Sequence, residues 1–326
     1  MSLQALLARL ADGEFHSGES LGDAQGVSRA AVWKQLKKLE SLGLDCHSVK
    51  GRGYRIPGGI NLLERAVFES QLAPEVAAGL THIELALTLE STNKLAADEA
   101  QLGDCHGRLY VAEQQTAGRG RRGRVWVSPF ARNLYFSLNW SFSGGAAALE
   151  GLSLVVGLAL RNGLAEMGVA GVKLKWPNDL LYQGRKLAGV LLEMSGDASG
   201  QCQVVIGVGV NVAMPEVVAS SLDQPWIDLQ QIKGEPLDRN QVLAALLNAL
   251  LPALRLFETQ GFSAFRDDWQ RHNAHQGQQV RLATESFSQQ GECVGVDEKG
   301  ALLLATDTGI KSYHGGELSL RPLTDA

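Results

Sequence analysis

The chain contains no C-x-x-C and no Walker A sequence, and each absence removes a class of chemistry. Cys46, Cys105, Cys202 and Cys293 stand far apart, without paired histidine spacing. That argues against zinc ligation or a disulfide framework and points to reduced thiols in a cytoplasmic protein. The seven histidines are scattered, so no metal site is read from the sequence. No serine or cysteine is read as a covalent nucleophile. Any ATP would have to be held by something other than a P-loop. Net charge is −5, which gives no global attraction to nucleic acid. The apolar run Leu6–Leu10 is too short for a signal peptide, and acids follow at once. The stretch 146–167 is broken by Glu150, Arg161 and glycines, which reads as a buried helix and not a membrane span.

What is present is concentrated. Residues 118–124 read Gly-Arg-Gly-Arg-Arg-Gly-Arg, four guanidinium groups and three glycines in seven residues, followed by Val125-Trp126. Four neighbouring cations repel one another and glycine weakens helix and strand, so the segment alone should be a mobile loop. An anion reverses that balance, because curled backbone N–H groups and guanidinium forks both match phosphate or carboxylate oxygens. The flanking strand patterns, Tyr110–Ala112 and Leu134–Phe142, suit a ligand loop better than a solvated tail. In the second strand Leu134, Phe136, Leu138, Trp140 and Phe142 alternate, as in a half-buried strand.

Charge is also uneven. Residues 1–27 carry one Arg against four acids, whereas residues 28–55 carry seven Lys/Arg against two. Ser28 can cap a helix from Arg29 to Leu42, with Val32, Leu36 and Leu39 inward. Arg29, Trp33 and Lys37 then form an outward stripe beside Lys34 and Lys38. A short helix over 18–24 precedes it, and Cys46–Val49 and Tyr54–Ile56 flank a tight Lys50-Gly51-Arg52-Gly53 hairpin. Helix stripe and basic hairpin together fit a winged helix-turn-helix that binds DNA, through Ser28, Arg29, Trp33, Lys34, Lys37, Lys50 and Arg52. Trp33 could equally be half-buried against the hairpin.

Further on, Lys175-Trp176-Pro177-Asn178-Asp179 ends a strand in a turn, either a plain Asx turn or a pair of polar groups presented to a ligand. In Arg185-Lys186-Leu187-Ala188-Gly189 a lysine stands at the mouth of an apolar strand, solvated or aimed at a pocket. Gly207-Val208-Gly209-Val210-Asn211 closes a buried strand whose glycines permit close approach. It is not a dinucleotide fingerprint, since no third glycine or helix start follows. In Ser91-Thr92-Asn93, Ser91 or Thr92 can cap a helix over 94–100. Leu243–Phe257 is amphipathic, and 276–323 reads as short strands between glycine turns.

Taken in order and at these spacings, Ser91–Asn93, Gln115, the 118–124 loop, Lys175–Asp179, Arg185–Gly189 and Gly207–Asn211 resemble the biotin–protein ligase family across essentially the whole chain. The N-terminal segment is similar to that of members that double as biotin-operon repressors. The resemblance implies an α+β chain of three domains. These are a winged helix-turn-helix over 1–60, a mixed α/β ligase domain of class II synthetase-like type over 63–272, and an SH3-like β-barrel over 276–323. The implied reaction joins biotin and ATP, with Mg²⁺, into biotinyl-5′-AMP, then transfers biotin to a lysine of the biotin carboxyl carrier protein. By the same resemblance Ser91, Thr92, Asn93, Gln115, Arg119, Gly120, Arg121 and Lys186 bind biotin. Arg119, Arg121, Arg122, Trp126, Asn178 and Asn211 bind the nucleotide. Lys186 and Arg121 serve catalysis, and Asp179 contacts metal or the acceptor lysine. Operator DNA and a biotinyl-5′-AMP-promoted homodimer complete the implied partners, with no membrane; deleting residues 1–57 is expected to abolish DNA binding and spare ligation. The competing readings are a ligand-sensing transcription factor without catalysis, a ligase whose N-terminal domain does not repress, and a lipoate–protein ligase.

Overall fold

A computed structural model describes residues 3–24, 26–196, 200, 202–219, 224–284, 286–315 and 318–323. The first three helices are α1 (Leu3–Leu10), α2 (Gly18–Asp23) and α3 (Arg29–Ser41), followed by the hairpin β1 (His47–Val49) and β2 (Gly53–Arg55). Ser17 and Ser28 cap α2 and α3 by accepting from Ser20 N and Ala31 N. Each cap satisfies a donor that the first helical turn leaves open. Leu6, Leu7, Leu10, Leu21, Val32, Leu36 and Leu39 form a core of their own. That core also takes in Phe130 and Ala131 from far along the chain.

Two short helices, α4 (Arg65–Glu69) and α5 (Pro74–Gly79), lead into β3 (His82–Ala86), α6 (Thr92–Ala100), β4 (Arg108–Ala112) and β5 (Leu134–Phe142). Then come α7 (Leu152–Glu166), β6 (Lys173–Lys175), β7 (Asp179–Tyr182), β8 (Arg185–Gly196) and β9 (Cys202–Val210). The seven strands form one sheet in the order β3-β4-β5-β9-β8-β7-β6, parallel only between β3 and β4. After α8 (Glu216–Ala219) and α9 (Leu229–Lys233), the 22-residue α10 (Arg239–Gln260) packs with α7 on one face of this sheet. On the other face α6 lies over β4, β5 and β9. By length and composition 147–166 and α10 could cross a membrane, yet half or more of each apolar window is buried inside the fold.

Two sequence expectations change here. All nine residues of Leu134–Phe142 are buried, because α7 and α10 cover the even-numbered face while α6 and the segments at His106 and Pro129 cover the odd one. The stretch 146–167 is not one helix: Gly151, at φ 82°, separates a 3-10 turn over 146–149 from α7. The amphipathic Leu243–Phe257 lies inside α10.

After α11 (Arg266–His272) the chain ends in β10 (Gln279–Ala283), β11 (Ser288–Val296), β12 (Leu302–Thr306), β13 (Gly309–Tyr313) and β14 (Ser319–Pro322), ordered β13-β12-β11-β10-β14. This second sheet shares the core of the first: Val280, Leu282, Val296, Leu302 and Leu320 belong to the same cluster as Phe136 and Leu160. Trp176 Nε1 donates to the Gly300 carbonyl at 3.0 Å, fastening the two across a buried contact. The segment joining the N-terminal helices to the large sheet is fixed by a buried ion pair. Arg239 and Glu113 meet at 2.6 Å, each 2% exposed; Glu113 accepts from Leu63 N, and Arg239 donates to the carbonyls of Asn61 and Asn133. Removing one member of such a pair costs about 3–5 kcal/mol, since the other is left buried and charged.

Candidate functional site

A cleft of about 500 Å³ opens on the α6 face of the large sheet. Its floor is where β8 and β9 run side by side, with Gly189 opposite Gly209 and Leu191 opposite Gly207. The glycines are required there. A Cβ on Gly207 would overlap the Asn93 amide, and one on Gly209 would overlap the Trp126 indole. Trp126 therefore lies directly on the backbone of the sheet, with its Nε1 buried and no hydrogen-bond partner for it among the described residues.

One end of the cleft is neutral and hydrogen-bonded. Ser91 caps α6, accepting from Lys94 N, which delivers Thr92 and Asn93 to the cleft at the helix start. Gln115 Oε1 accepts from Thr92 N at 2.9 Å and from Thr92 Oγ1 at 3.2 Å. Ser137 Oγ lies 2.8 Å from Thr92 Oγ1 and 2.6 Å from Asn93 Oδ1. The Asn93 amide donates to Glu193 at 2.8 Å, and the same carboxylate oxygen is 3.3 Å from Arg119.

The other end is cationic. Arg119, Arg121, Arg122, Arg124, Lys175, Lys186 and Arg321 line the cleft against one carboxylate among the described lining residues, Asp179. The 118–124 loop closes on itself: Gly120 N donates to Arg124 O at 2.7 Å and Trp126 N to Gly118 O at 2.9 Å, with Arg122 left-handed at φ 60°. That ladder gives the loop a defined shape. Arg121 is fixed by donating to Asn178 Oδ1 at 2.9 Å, while Asn178 donates to Val190 O at 2.7 Å. Lys186 Nζ is 2.7 Å from Asp179 Oδ1 and 5.3 Å from the Trp126 ring, and Lys175 Nζ is 3.8 Å from Asp179 Oδ2. Burial lowers the pKa of Lys175; Asp179 opposes the shift, and Lys186, Arg321 and Arg124 add to it. Burial likewise lowers that of Arg121, against the pull of Asp179.

Of the residues singled out in the sequence, Ser91, Thr92, Asn93, Gln115, Arg119, Gly120, Arg121, Arg122, Trp126, Asn178, Asp179 and Lys186 all line this one cleft. Asn211 does not. It is 4% exposed and its amide donates to the carbonyls of Lys186 and Ile227, bracing the backbone on either side of the Lys186 wall. Sequence reasoning missed Ser137, Glu193 and Arg321, and gave Lys175 no role within its motif. The seven residues proposed to meet DNA are all exposed on α3 and the β1–β2 hairpin, 28–52, remote in sequence from the cleft. Ser28 spends its hydroxyl on the α3 cap, and Arg52 stacks over Phe15 at 4.2 Å. Trp33 is 54% exposed and packs into no apolar cluster.

Residues 85–211 match the biotin/lipoate A/B protein ligase family, 2–55 an HTH domain, and 275–321 the biotin protein ligase C-terminal domain. The bifunctional ligase/repressor BirA of Escherichia coli strain K12 is 43% identical over 317 residues, 97% of this chain and 96% of that one. The chain belongs to the biotin–protein ligase family. The Bacillus subtilis bifunctional ligase/repressor BirA is 32% identical over 311 residues, 95% of each chain. Among solved structures, the Aquifex aeolicus biotin protein ligase in complex with biotin and ATP superposes with a TM-score of 0.64 at 31% identity, over 74% of this chain and 100% of that one. Family membership thus spans both the cleft and the N-terminal helices.

Proposed function

We propose that the chain is an ATP-dependent biotin–protein ligase. It forms biotinyl-5′-AMP, passes the biotinyl group to a lysine of the biotin carboxyl carrier protein, and with its winged N-terminal domain represses a biotin-synthesis operon. The observation that carries this reading is a single cleft with a neutral hydrogen-bonding end and a cationic end, meeting at Lys186. Relatives named as bifunctional ligase/repressors and a neighbour solved with biotin and ATP supply the identity of the ligands.

In this reading the biotin head group sits against Thr92, Asn93 and Gln115, and its carboxylate reaches Lys186. ATP lays its phosphates among Arg121, Lys175, Lys186 and Arg321. Carboxylate and α-phosphate are both anionic, and cations between them offset their repulsion. A carboxylate oxygen attacks the α-phosphorus, the bond to the β-phosphate oxygen breaks, and pyrophosphate leaves. The acceptor amine then attacks the acyl carbon and AMP departs. Catalysis comes from proximity and charge stabilisation, without a covalent enzyme intermediate. Mg²⁺ would travel with ATP, since Asp179, the one carboxylate among the described lining residues, faces two lysines. Asp179 fits best as the counter-ion that positions Lys186. Val125, 74% exposed beside the arginine loop, supports an adenylate-promoted homodimer next to this segment, and the four free thiols support a cytoplasmic setting.

Biotin-dependent exchange of pyrophosphate into ATP, run beside the same assay with lipoate, tests the enzyme. Exchange with lipoate alone would move the chain to the other branch of its family. Retardation of DNA from upstream of a biotin-synthesis operon, dependent on biotinyl-5′-AMP, tests repression. Deleting the N-terminal domain is a poor control, because it strips Phe130 and Ala131 of their core four and five residues beyond Trp126. Lys34→Ala and Lys50→Ala, both on exposed positions, remove phosphate contacts and leave that core intact.

A further inference from the structure

The N-terminal domain buries most of its large aliphatic side chains, Val49 being an exception, and it presents an indole to solvent in the middle of a basic stripe. Trp33 lies one turn from Arg29 and one from Lys37, about a quarter-turn round α3 from Val32, Leu36 and Leu39, which are at most 6% exposed. It is 54% exposed and, among the described residues, joins no apolar cluster and has one ring contact, the Lys37 ammonium 5.6 Å from the ring centroid. The surrounding cations select a polyanion as the occupant of this face. Within the major groove of B-form DNA, the group that rewards an apolar side chain is the thymine 5-methyl. We infer that Trp33 is a specificity residue that reads a thymine methyl group in each operator half-site. The inference rests on the DNA-binding reading given above and adds to it the base that the helix selects. Arg29, Lys34 and Lys37 supply the sequence-independent attraction to phosphate, and Trp33 supplies discrimination.

The test uses the full chain loaded with biotinyl-5′-AMP and duplexes selected from a random library. Each thymine of the selected site is replaced by deoxyuridine, which removes the methyl and keeps the pairing. At one position per half-site affinity should fall about four-fold, the worth of one buried methyl, and about fifteen-fold when both are replaced. Trp33→Ala should bind more weakly, keep the wild-type salt slope, and show no response to deoxyuridine; Trp33→Phe should keep a partial response. Lys34→Ala should instead lower the salt slope and leave the deoxyuridine response in place. Ligation by Trp33→Ala at the wild-type rate shows that the fold is intact. Wild-type indifference to deoxyuridine at every position, or equal sensitivity in Trp33→Ala, overturns the inference while leaving DNA binding standing. Loss of dimerisation in Trp33→Ala also overturns it, by making the indole a protein contact. Failure to enrich any duplex overturns both this and the repressor reading.

Discussion

The two ends of the cleft are built on opposite principles. Thr92, Asn93, Gln115 and Ser137 hydrogen-bond one another at the end assigned to biotin, which holds their side chains in fixed positions. At the end assigned to phosphate, six cations face one carboxylate among the described lining residues, Arg119 being paired with Glu193. Like charges about 5 Å apart at an effective dielectric of about 20 repel by roughly 3 kcal/mol. The first end is preorganised, giving the neutral head group a fixed set of partners at little ordering cost. The second stores repulsion that phosphate relieves, most of all when charge builds on the leaving pyrophosphate. Binding and chemistry are thereby divided along one groove, and substitutions at the two ends should fail differently.

The largest separation is expected at Lys186. Lys186→Ala should lower single-turnover pyrophosphate release by about 10²–10³, the usual cost of removing one donor aimed at developing charge. Biotin affinity by calorimetry should change far less. A parallel fall in both would erase the division and make Lys186 a plain binding residue.

Next comes Arg121, held by Asn178 over the middle of the cleft. Arg121→Gly should release biotinyl-5′-AMP about ten- to a hundred-fold faster, as one charge-assisted contact of roughly 1.5–3 kcal/mol is lost. Adenylate synthesis should continue in part. A stopped-flow chase showing unchanged release would place the retaining contacts elsewhere, with Arg124 and Arg321 the next candidates among the lining cations.

Much of this site could be read in the sequence because its chemistry is written in short contiguous runs. The 118–124 loop, Lys175–Asp179, Arg185–Gly189 and Ser91–Asn93 each carry their residue types side by side, and the fold gathers them into one cleft. What escaped notice enters through pairing and not through proximity in sequence. Ser137 is a polar residue on a strand that looked half-buried; its partner across β9 is Gly207, and that register alone brings it to Asn93. Glu193 arrives the same way, opposite Val205. Arg321 comes from the second sheet, whose β14 edge lines the cleft. Asn211 misled in the other direction. A polar residue ending a glycine strand looks like a ligand contact, yet its amide holds two main-chain carbonyls. Nor does anything in the sequence around Phe130 announce that it belongs to the core of the N-terminal helices.

Ser137 offers the finest test of the comparison, because it touches the neutral end alone. Its hydroxyl can donate one proton, either to Thr92 Oγ1 or to Asn93 Oδ1, and the short distances to both leave each acceptor dependent on it. Removing that hydroxyl leaves buried acceptors short of a partner, at about 1 kcal/mol or slightly more. Ser137→Ala should therefore weaken biotin binding by about five- to ten-fold, with ATP affinity and the rate of pyrophosphate release from saturated enzyme left as they were. Nothing at the cationic end is within hydrogen-bonding reach of Ser137 among its recorded partners, so the effect has no direct route to the phosphates. Calorimetry with biotin alone, followed by single-turnover adenylation at saturating biotin, separates the two quantities. If the rate falls with the affinity, the hydrogen-bonded end is also tuning the chemistry, and the division drawn along the cleft is too sharp.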